Sequence, residues 1–274
     1  MPAYARPADL QTALELMADA PLRVLAGGTD LYPGAGAALA GPVLDVTALP
    51  GLRGITSGRT MRIGAATTWT AIAEADLPPA LAGLQQAARQ VGARQIQNVG
   101  TIGGNLCNAS PAADGVPPLL TLDAEVELAS VRGVRRMALA DFLQGSRKTA
   151  RAADEVLTAI HIPATALRGR GSFLKLGARA HLVISIVMVA ARIVSEGGAV
   201  KEITLAVGAC SPAARRLPLV EAALIGAPLD GLAARVSPAD VAAALAPIDD
   251  VRATAAYRHE AAVELIRRLV GGLA

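Results

Sequence analysis

Two stretches of the chain set glycine pairs beside short polar side chains. Asn98-Val99-Gly100-Thr101-Ile102-Gly103-Gly104-Asn105-Leu106 carries three glycines in five positions. Val24-Leu25-Ala26-Gly27-Gly28-Thr29-Asp30-Leu31 puts Gly-Gly next to a threonine directly after an apolar run. A Gly-Gly pair removes two Cβ atoms in succession, so the backbone can take positive φ and lie against a ligand. Such a turn aims several backbone N–H groups into one concavity, which suits a phosphate or diphosphate. Two of them, about 75 residues apart, can grip a two-phosphate ligand from both sides. Either pair alone reads more often as a plain turn. The repetition with Thr and Asn brings the anion reading level with it.

The surrounding elements have to present these corners. Leu10, Ala13, Leu14 and Met17 recur at helical spacing within 8–18, and the following Arg23–Ala26 reads as a short strand delivering the first corner. Short strands are predicted at 43–46, 61–65, 125–128 and 156–162, with helices at 71–75 and 80–91 split by Pro78-Pro79. Residues 165–171, rich in Arg and Gly, read as a linker. Beyond it, 173–179, 181–193 and 202–208 are strand-like. Helices are predicted at 217–224, 237–245 and 253–269, with Ser237 as N-cap and Pro238 at the first helical position. This is an α+β pattern.

Composition removes several function classes. The net charge is +3 and only 2% of the residues are aromatic. Scattered Arg without base-stacking aromatics argues against nucleic-acid binding. The longest apolar run, 182–191, falls well short of the roughly 20 residues of a membrane span. No basic-then-apolar leader opens the chain, so a cytoplasmic location is expected. Cys107 and Cys210 cannot ligate an iron–sulfur cluster alone. His161, His181 and His259 stand apart, so no metal site is expected. Neither a Gly-x-Gly-x-x-Gly after a strand nor a Walker lysine is present, nor a Gly-x-Ser-x-Gly elbow. With no protein nucleophile in view, a cofactor would have to carry the chemistry.

The quoted motifs resemble the FAD-binding medium subunit of molybdenum hydroxylases, the xanthine dehydrogenase and carbon monoxide dehydrogenase flavoprotein family. Its Ala-Gly-Gly-Thr-Asp-Leu turn matches Ala26–Leu31, and its Thr-Ile-Gly-Gly-Asn turn matches Thr101–Asn105. Ile63–Thr68 matches an Ile-Gly-Ala-x-Thr-Thr element, and Lys175–Arg179 a Lys-x-x-x-Arg strand. Two departures stand out: no basic residue in the 34–41 loop, and Gln97 where many relatives have Arg. The lack of a four-Cys insert argues against the aromatic-thioester reductase branch.

The resemblance implies a two-subdomain FAD-binding fold of the vanillyl-alcohol-oxidase (PCMH) type over 1–168, with subdomains of about 1–56 and 57–168. A C-terminal domain over 169–274, a small β-sheet plus a helical cluster, would follow. It implies FAD as cofactor, contacted by Leu25, Ala26, Gly27, Gly28, Thr29, Asp30 and Leu31 at the first corner. Thr101, Ile102, Gly103, Gly104 and Asn105 would serve at the second, through backbone N–H groups and short side chains. Asp114 would accept from ribityl or ribose hydroxyls, Asn105 and Asn108 could donate and accept, and Thr101 could bond a phosphate oxygen. For Asp30 and Asp114 an Asx-type turn bond to the backbone is the competing role. Leu157 would touch the adenine or simply pack in the core. Cys107 falls over the isoalloxazine, as a small packer or as a redox thiol. Lys175 would lie near the flavin pyrimidine and raise its potential, or be an exposed strand lysine.

Partners follow from the same resemblance: a large molybdopterin subunit and a small [2Fe–2S] subunit, assembled as a dimer of heterotrimers. Electrons would leave FAD for NAD⁺, a quinone or O₂. A stand-alone flavin oxidase or dehydrogenase, and an assembly module without flavin, are the alternatives.

Overall fold

The computed structural model describes residues 3–36 and 39–274; Ala37 and Ala38, within the 34–41 loop, lie outside the described residues. The chain opens with β1 (Tyr4–Ala5), α1 (Leu10–Asp19), β2 (Arg23–Leu25) and β3 (Val43–Asp45). Asp9 caps α1, its Oδ1 accepting from the Thr12 N–H at 2.9 Å. The strands form a parallel sheet in the order β1-β3-β2. Ala13, Leu14 and Met17 of α1 bury against Leu44 and Val46, giving this region its own core.

The middle of the chain holds β4 (Ile55–Ser57), β5 (Thr60–Gly64), α2 (Trp69–Glu74), α3 (Ala82–Gln90), α4 (Arg94–Val99), α5 (Ile102–Asn108) and α6 (Val116–Thr121). It continues with β6 (Glu125–Ser130), β7 (Gly133–Ala138), α7 (Leu139–Phe142), β8 (Leu143–Gly145), β9 (Lys148–Thr149) and β10 (Val156–Pro163). Five strands make an antiparallel sheet in the order β4-β5-β10-β6-β7. The central strand β10 is buried along nearly its whole length. Ile63, Leu106 and Ile160 belong to the core that packs the helices onto this sheet.

Beyond residue 169 come β11 (Arg170–Leu176), β12 (Val187–Glu196), β13 (Ala199–Gly208), β14 (Arg215–Arg216), α8 (Pro218–Leu224), α9 (Pro238–Ala244) and α10 (Ala255–Leu273). The four strands form an antiparallel sheet in chain order. Val189, Leu205 and Ile266 share a third core. Ser237 caps α9 with Pro238 at its first position, as the sequence predicts. The strand predicted over 181–193 begins only at Val187; residues 181–186 are loop. β-Branched composition marked that segment without fixing its start, because apolar loop residues at a cavity mouth look like strand residues.

A seam joins the last sheet to the middle region. Gln86 on α3 accepts the Phe173 N–H at 2.7 Å. A Cβ on Gly83 would meet the Ser172 carbonyl at 2.9 Å, so α3 needs glycine there to lie against β11. On the far side of β12, the buried Arg258 of α10 donates to the Ile186 and Ala209 carbonyls at 2.5 and 2.9 Å and to Asp250 at 2.7 Å.

Candidate cofactor site

The two glycine corners meet. An added Cβ on Gly27 would sit 2.0 Å from the Val99 carbonyl oxygen and 2.8 Å from the Gly100 Cα. Only glycine lets the backbones approach this closely. Between them and the seam runs a cavity of about 860 Å³, near the upper end of ligand-site sizes.

The corners are built differently. Gly28 has φ +71°, a left-handed conformation that admits glycine at no cost. Among the described residues, the N–H groups of Ala26, Gly27, Gly28, Thr29, Asp30 and Leu31 donate to nothing. Gly103 and Gly104, predicted as a turn of positive φ, lie instead in the first turn of α5, and neither has positive φ. Their small size serves packing: a Cβ on Gly103 would lie 2.7 Å from Ala65, and one on Gly104 2.9 Å from Thr101 Oγ1. The second corner's amides are also spent within the protein. Ile102 N–H donates to the Thr67 carbonyl, Gly103 N–H to Ala65, Gly104 N–H to Thr101 Oγ1 and Asn105 N–H to the Thr101 carbonyl. What this corner offers a ligand is side chains. Asn105 Oδ1 is buried in the wall with no hydrogen-bond partner among the described residues, and an unpaired buried oxygen costs free energy unless a ligand group meets it.

Fourteen of the residues predicted from the motifs line the cavity: Ala26 to Leu31, Thr101, Gly103, Gly104, Asn105, Cys107, Asn108, Asp114 and Leu157. Leu25 and Ile102 do not; both side chains are buried in the core behind the corners. Lys175 does not line it either. Its Nζ lies 2.6 Å from Asp114 Oδ2, and both side chains are almost fully buried. Ser185 Oγ donates to the other Asp114 oxygen at 2.6 Å. The cation predicted beside the flavin is therefore one half of an ion pair whose carboxylate half faces the cavity. Burial pushes the Asp114 carboxyl up, with Lys175 and Ser185 opposing. Both Asp114 oxygens already accept a bond, so its remaining lone pairs are what it can offer a hydroxyl.

Cys107 is open to the cavity. Dense protein around it pushes its thiol up to about 11, with the Arg151 charge opposing. That supports the role of packer over redox thiol. Leu157 stands at a register shift in the β10–β6 ladder, the kind of bulge that re-aims a side chain. Gln97 does not line the cavity: its amide is buried and donates to the Arg89 and Val91 carbonyls.

Sequence reasoning missed one wall. Arg147, Thr149, Arg151 and Glu155 all line the cavity. Arg147 has φ +60° and its N–H donates to the carbonyl of Ala109, itself at φ +46°. Its guanidinium bonds Asn108 Oδ1. Two linked left-handed non-glycine residues are uncommon and mark a constrained site. Gly145 marks only the turn between β8 and β9, and no glycine pair or motif signals the wall itself; the fold of β8 and β9 brings it to α5. Leu182, Val183 and Ile184, in the loop between β11 and β12, close the cavity from the C-terminal side.

A cavity of this size, with free amides at one glycine corner and an orphaned carbonyl oxygen at the other, is the site of a flavoprotein that holds a dinucleotide cofactor. Residues 1–165 match the family described as FAD binding domain in molybdopterin dehydrogenase, and residues 172–273 match the carbon monoxide dehydrogenase flavoprotein C-terminal domain. The chain is 34% identical over 270 residues to a putative xanthine dehydrogenase FAD-binding subunit of Escherichia coli K12, covering 93% of this chain and 90% of that one. It is 33% identical to a carbon monoxide dehydrogenase medium chain of Afipia carboxidovorans, covering 97% and 94%. Its fold matches a solved carbon monoxide dehydrogenase from Oligotropha carboxidovorans with TM-score 0.89 at 28% identity, over 99% and 98% of the two chains. The chain belongs to this family of FAD-binding medium subunits of molybdenum-containing dehydrogenases. It is an oxidoreductase component and FAD is its cofactor. No helix among the described residues is long and apolar enough to cross a membrane.

Proposed function

We propose that this chain is the electron-transfer subunit of a heteromeric molybdopterin hydroxylase. A large molybdopterin subunit oxidises substrate, a small [2Fe–2S] subunit relays the electrons, and this chain delivers them to NAD⁺, a quinone or O₂. The assembly is a dimer of heterotrimers, in the cytoplasm, where free thiols such as Cys107 and Cys210 persist. The chain divides at 168/169 into FAD-binding and C-terminal domains, the former with subdomains of about 1–56 and 57–168. The observation that carries the reading is the meeting of the two glycine corners over one cavity, with the Asn105 oxygen left unpaired in its wall.

Bound FAD supplies the redox chemistry, passing between one-electron and two-electron partners. The protein's part is to hold and tune it. The free amides of Ala26 to Leu31 suit the diphosphate. Thr101, Asn105 and Asn108 present short polar side chains along one face of α5 to the hydroxyl-bearing part of the cofactor. Leu157 offers an apolar surface to the adenine. Lys175 acts through Asp114: its charge favours the ionised carboxyl against burial and fixes its position, and the pair presents an acceptor rather than a bare cation. We therefore expect Lys175→Met to change the flavin potential by way of Asp114; an unchanged potential rejects this role.

Expression tests the reading. The full chain alone should purify yellow and oxidise no small substrate. Expressed with neighbouring frames encoding a molybdopterin chain and an eight-Cys chain, it should co-purify with molybdenum and iron. A colourless chain rejects the flavin reading, and substrate oxidation by the chain alone rejects the subunit reading in favour of a stand-alone flavin dehydrogenase.

A further inference from the structure

The charged groups of the cavity wall fall into two kinds. Asp114 and Glu155 are already answered, by Lys175 and by Arg135. Arg23, Arg147 and Arg151 have no carboxylate partner among the described residues, and Asp30 has no cation partner. Three arginines against one carboxylate, none of them in an ion pair among the described residues, leave the wall with surplus positive charge. Arg23, Arg147 and Asp30 are exposed; Arg151 alone is partly buried, and a partly buried charge without a counter-charge is costly unless an anionic ligand occupies the site.

Arg151 is the best placed of the three. Its Nη1 alone carries the bonds to its own loop, to the Glu155 carbonyl at 2.6 Å and the Ala152 carbonyl at 3.1 Å. Nε and Nη2 have no partner among the described residues, and neither is shut away from solvent. The loop that holds it is fixed from both sides. Arg135 donates to the Ala150 carbonyl at 2.8 Å and to both Glu155 oxygens, at 2.6 and 2.8 Å. Glu155 Oε2 in turn accepts the Ala152 N–H at 2.7 Å. A guanidinium anchored by one nitrogen and free at two loses little freedom on meeting a ligand.

Arg151 and Cys107 of α5 line the same cavity, and Cys107 follows Gly104 by three residues on the exposed face of that helix, about 4.5 Å further along the axis. The first corner offers free amides but no formal charge, and Asp30 beside it is negative.

Resting on the FAD-site reading, we propose that Arg151 is a cofactor-holding residue: its free guanidinium edge supplies the positive charge that meets the diphosphate of FAD and that the glycine corners lack. Riboflavin shares the isoalloxazine and ribityl of FAD but has no phosphate, so it is the discriminating probe.

The test is titration of the flavin-stripped full chain with FAD and with riboflavin, followed by flavin fluorescence, at salt from about 50 mM to about 300 mM. Wild type, Arg151→Gln and Arg151→Lys are compared, each first shown by circular dichroism to be folded. Arg151→Gln should weaken FAD about tenfold or more and flatten its salt dependence while leaving riboflavin unchanged; Arg151→Lys should recover part of the loss. Two results overturn the proposal. One is an Arg151→Gln chain that binds FAD within about twofold of wild type with the same salt dependence. The other is equal loss of FAD and riboflavin, which would make Arg151 a packing residue. A wild type that binds neither flavin sinks the FAD-site reading itself.

Discussion

Gly27 and Cys107 carry the sharpest expectations for single residues. A side chain at Gly27 would have to displace the Val99 backbone, since the added Cβ falls 2.0 Å from its oxygen. Overpacking of this kind costs about 1–3 kcal/mol, and if it opens the corners the whole of it appears in cofactor affinity. Gly27→Ala should then bind FAD about ten- to a hundredfold more weakly, read by fluorescence titration. Cys107, with its thiol pushed up to about 11, should resist thiol reagents at neutral pH. Its modification should rise about tenfold per pH unit in the alkaline range and be blocked by FAD. Cys210, fully buried with its thiol pushed up to about 12, should stay unmodified while the chain is folded. One labelled thiol per native chain, lost on flavin binding, is the outcome to look for by mass spectrometry.

Elements explain which parts of the site could be read from sequence. The first corner was legible because strand, glycine pair and turn are contiguous, and composition alone reports that arrangement. The second was legible in position but not in form. Thr101-Ile102-Gly103-Gly104 reads as a turn by its glycines, yet Thr101 caps a helix there. Glycine's smallness, needed against Ala65, is written with the same letter as glycine's flexibility. The Arg147–Glu155 wall was not legible at all, since its charges gain meaning only from what faces them across the fold. Within that wall, Arg135 on the edge strand β7 and the Ala152 N–H hold the Glu155 carboxyl below its usual range, with burial opposing. The sign follows directly: a depressed carboxyl stabilises the fold above its ordinary value of 4.5, and the benefit fades as acid protonates it. Glu155→Gln should therefore cost about 1.5–3 kcal/mol at neutral pH. The difference from wild type should shrink as the pH is lowered through the carboxylate range, followed by urea melts.

At the scale of the molecule, three cores share one ligand cavity. The first glycine corner extends from the N-terminal sheet, α5 and Leu157 from the central sheet, and 182–184 from the C-terminal sheet. The sequence separated the small C-terminal sheet and its helices from the rest, because the pattern of elements changes there. It could not place 182–184 in the cavity wall, since that contact depends on how α3 seats against β11. A ligand bound only by the native fold stabilises it by mass action. At FAD about a hundredfold above its dissociation constant the gain is about 2.7 kcal/mol. The melting temperature should then rise by about 5 °C or more. Scanning calorimetry should show the flavin shifting the melting of all three regions together; a shift confined to one part of the transition would mean that the cavity does not couple them.

The ion pair between Asp114 and Lys175 adds an asymmetry of a different sort. One partner comes from the loop after α5 and the other from β11, so a chain still emerging from the ribosome has made the acid long before its base. Until β11 arrives, Asp114 stands in water without its cation, and the pocket it belongs to is unfinished. Flavin should therefore bind well only to chains long enough to have folded β11, and chains truncated before Lys175 should bind it weakly.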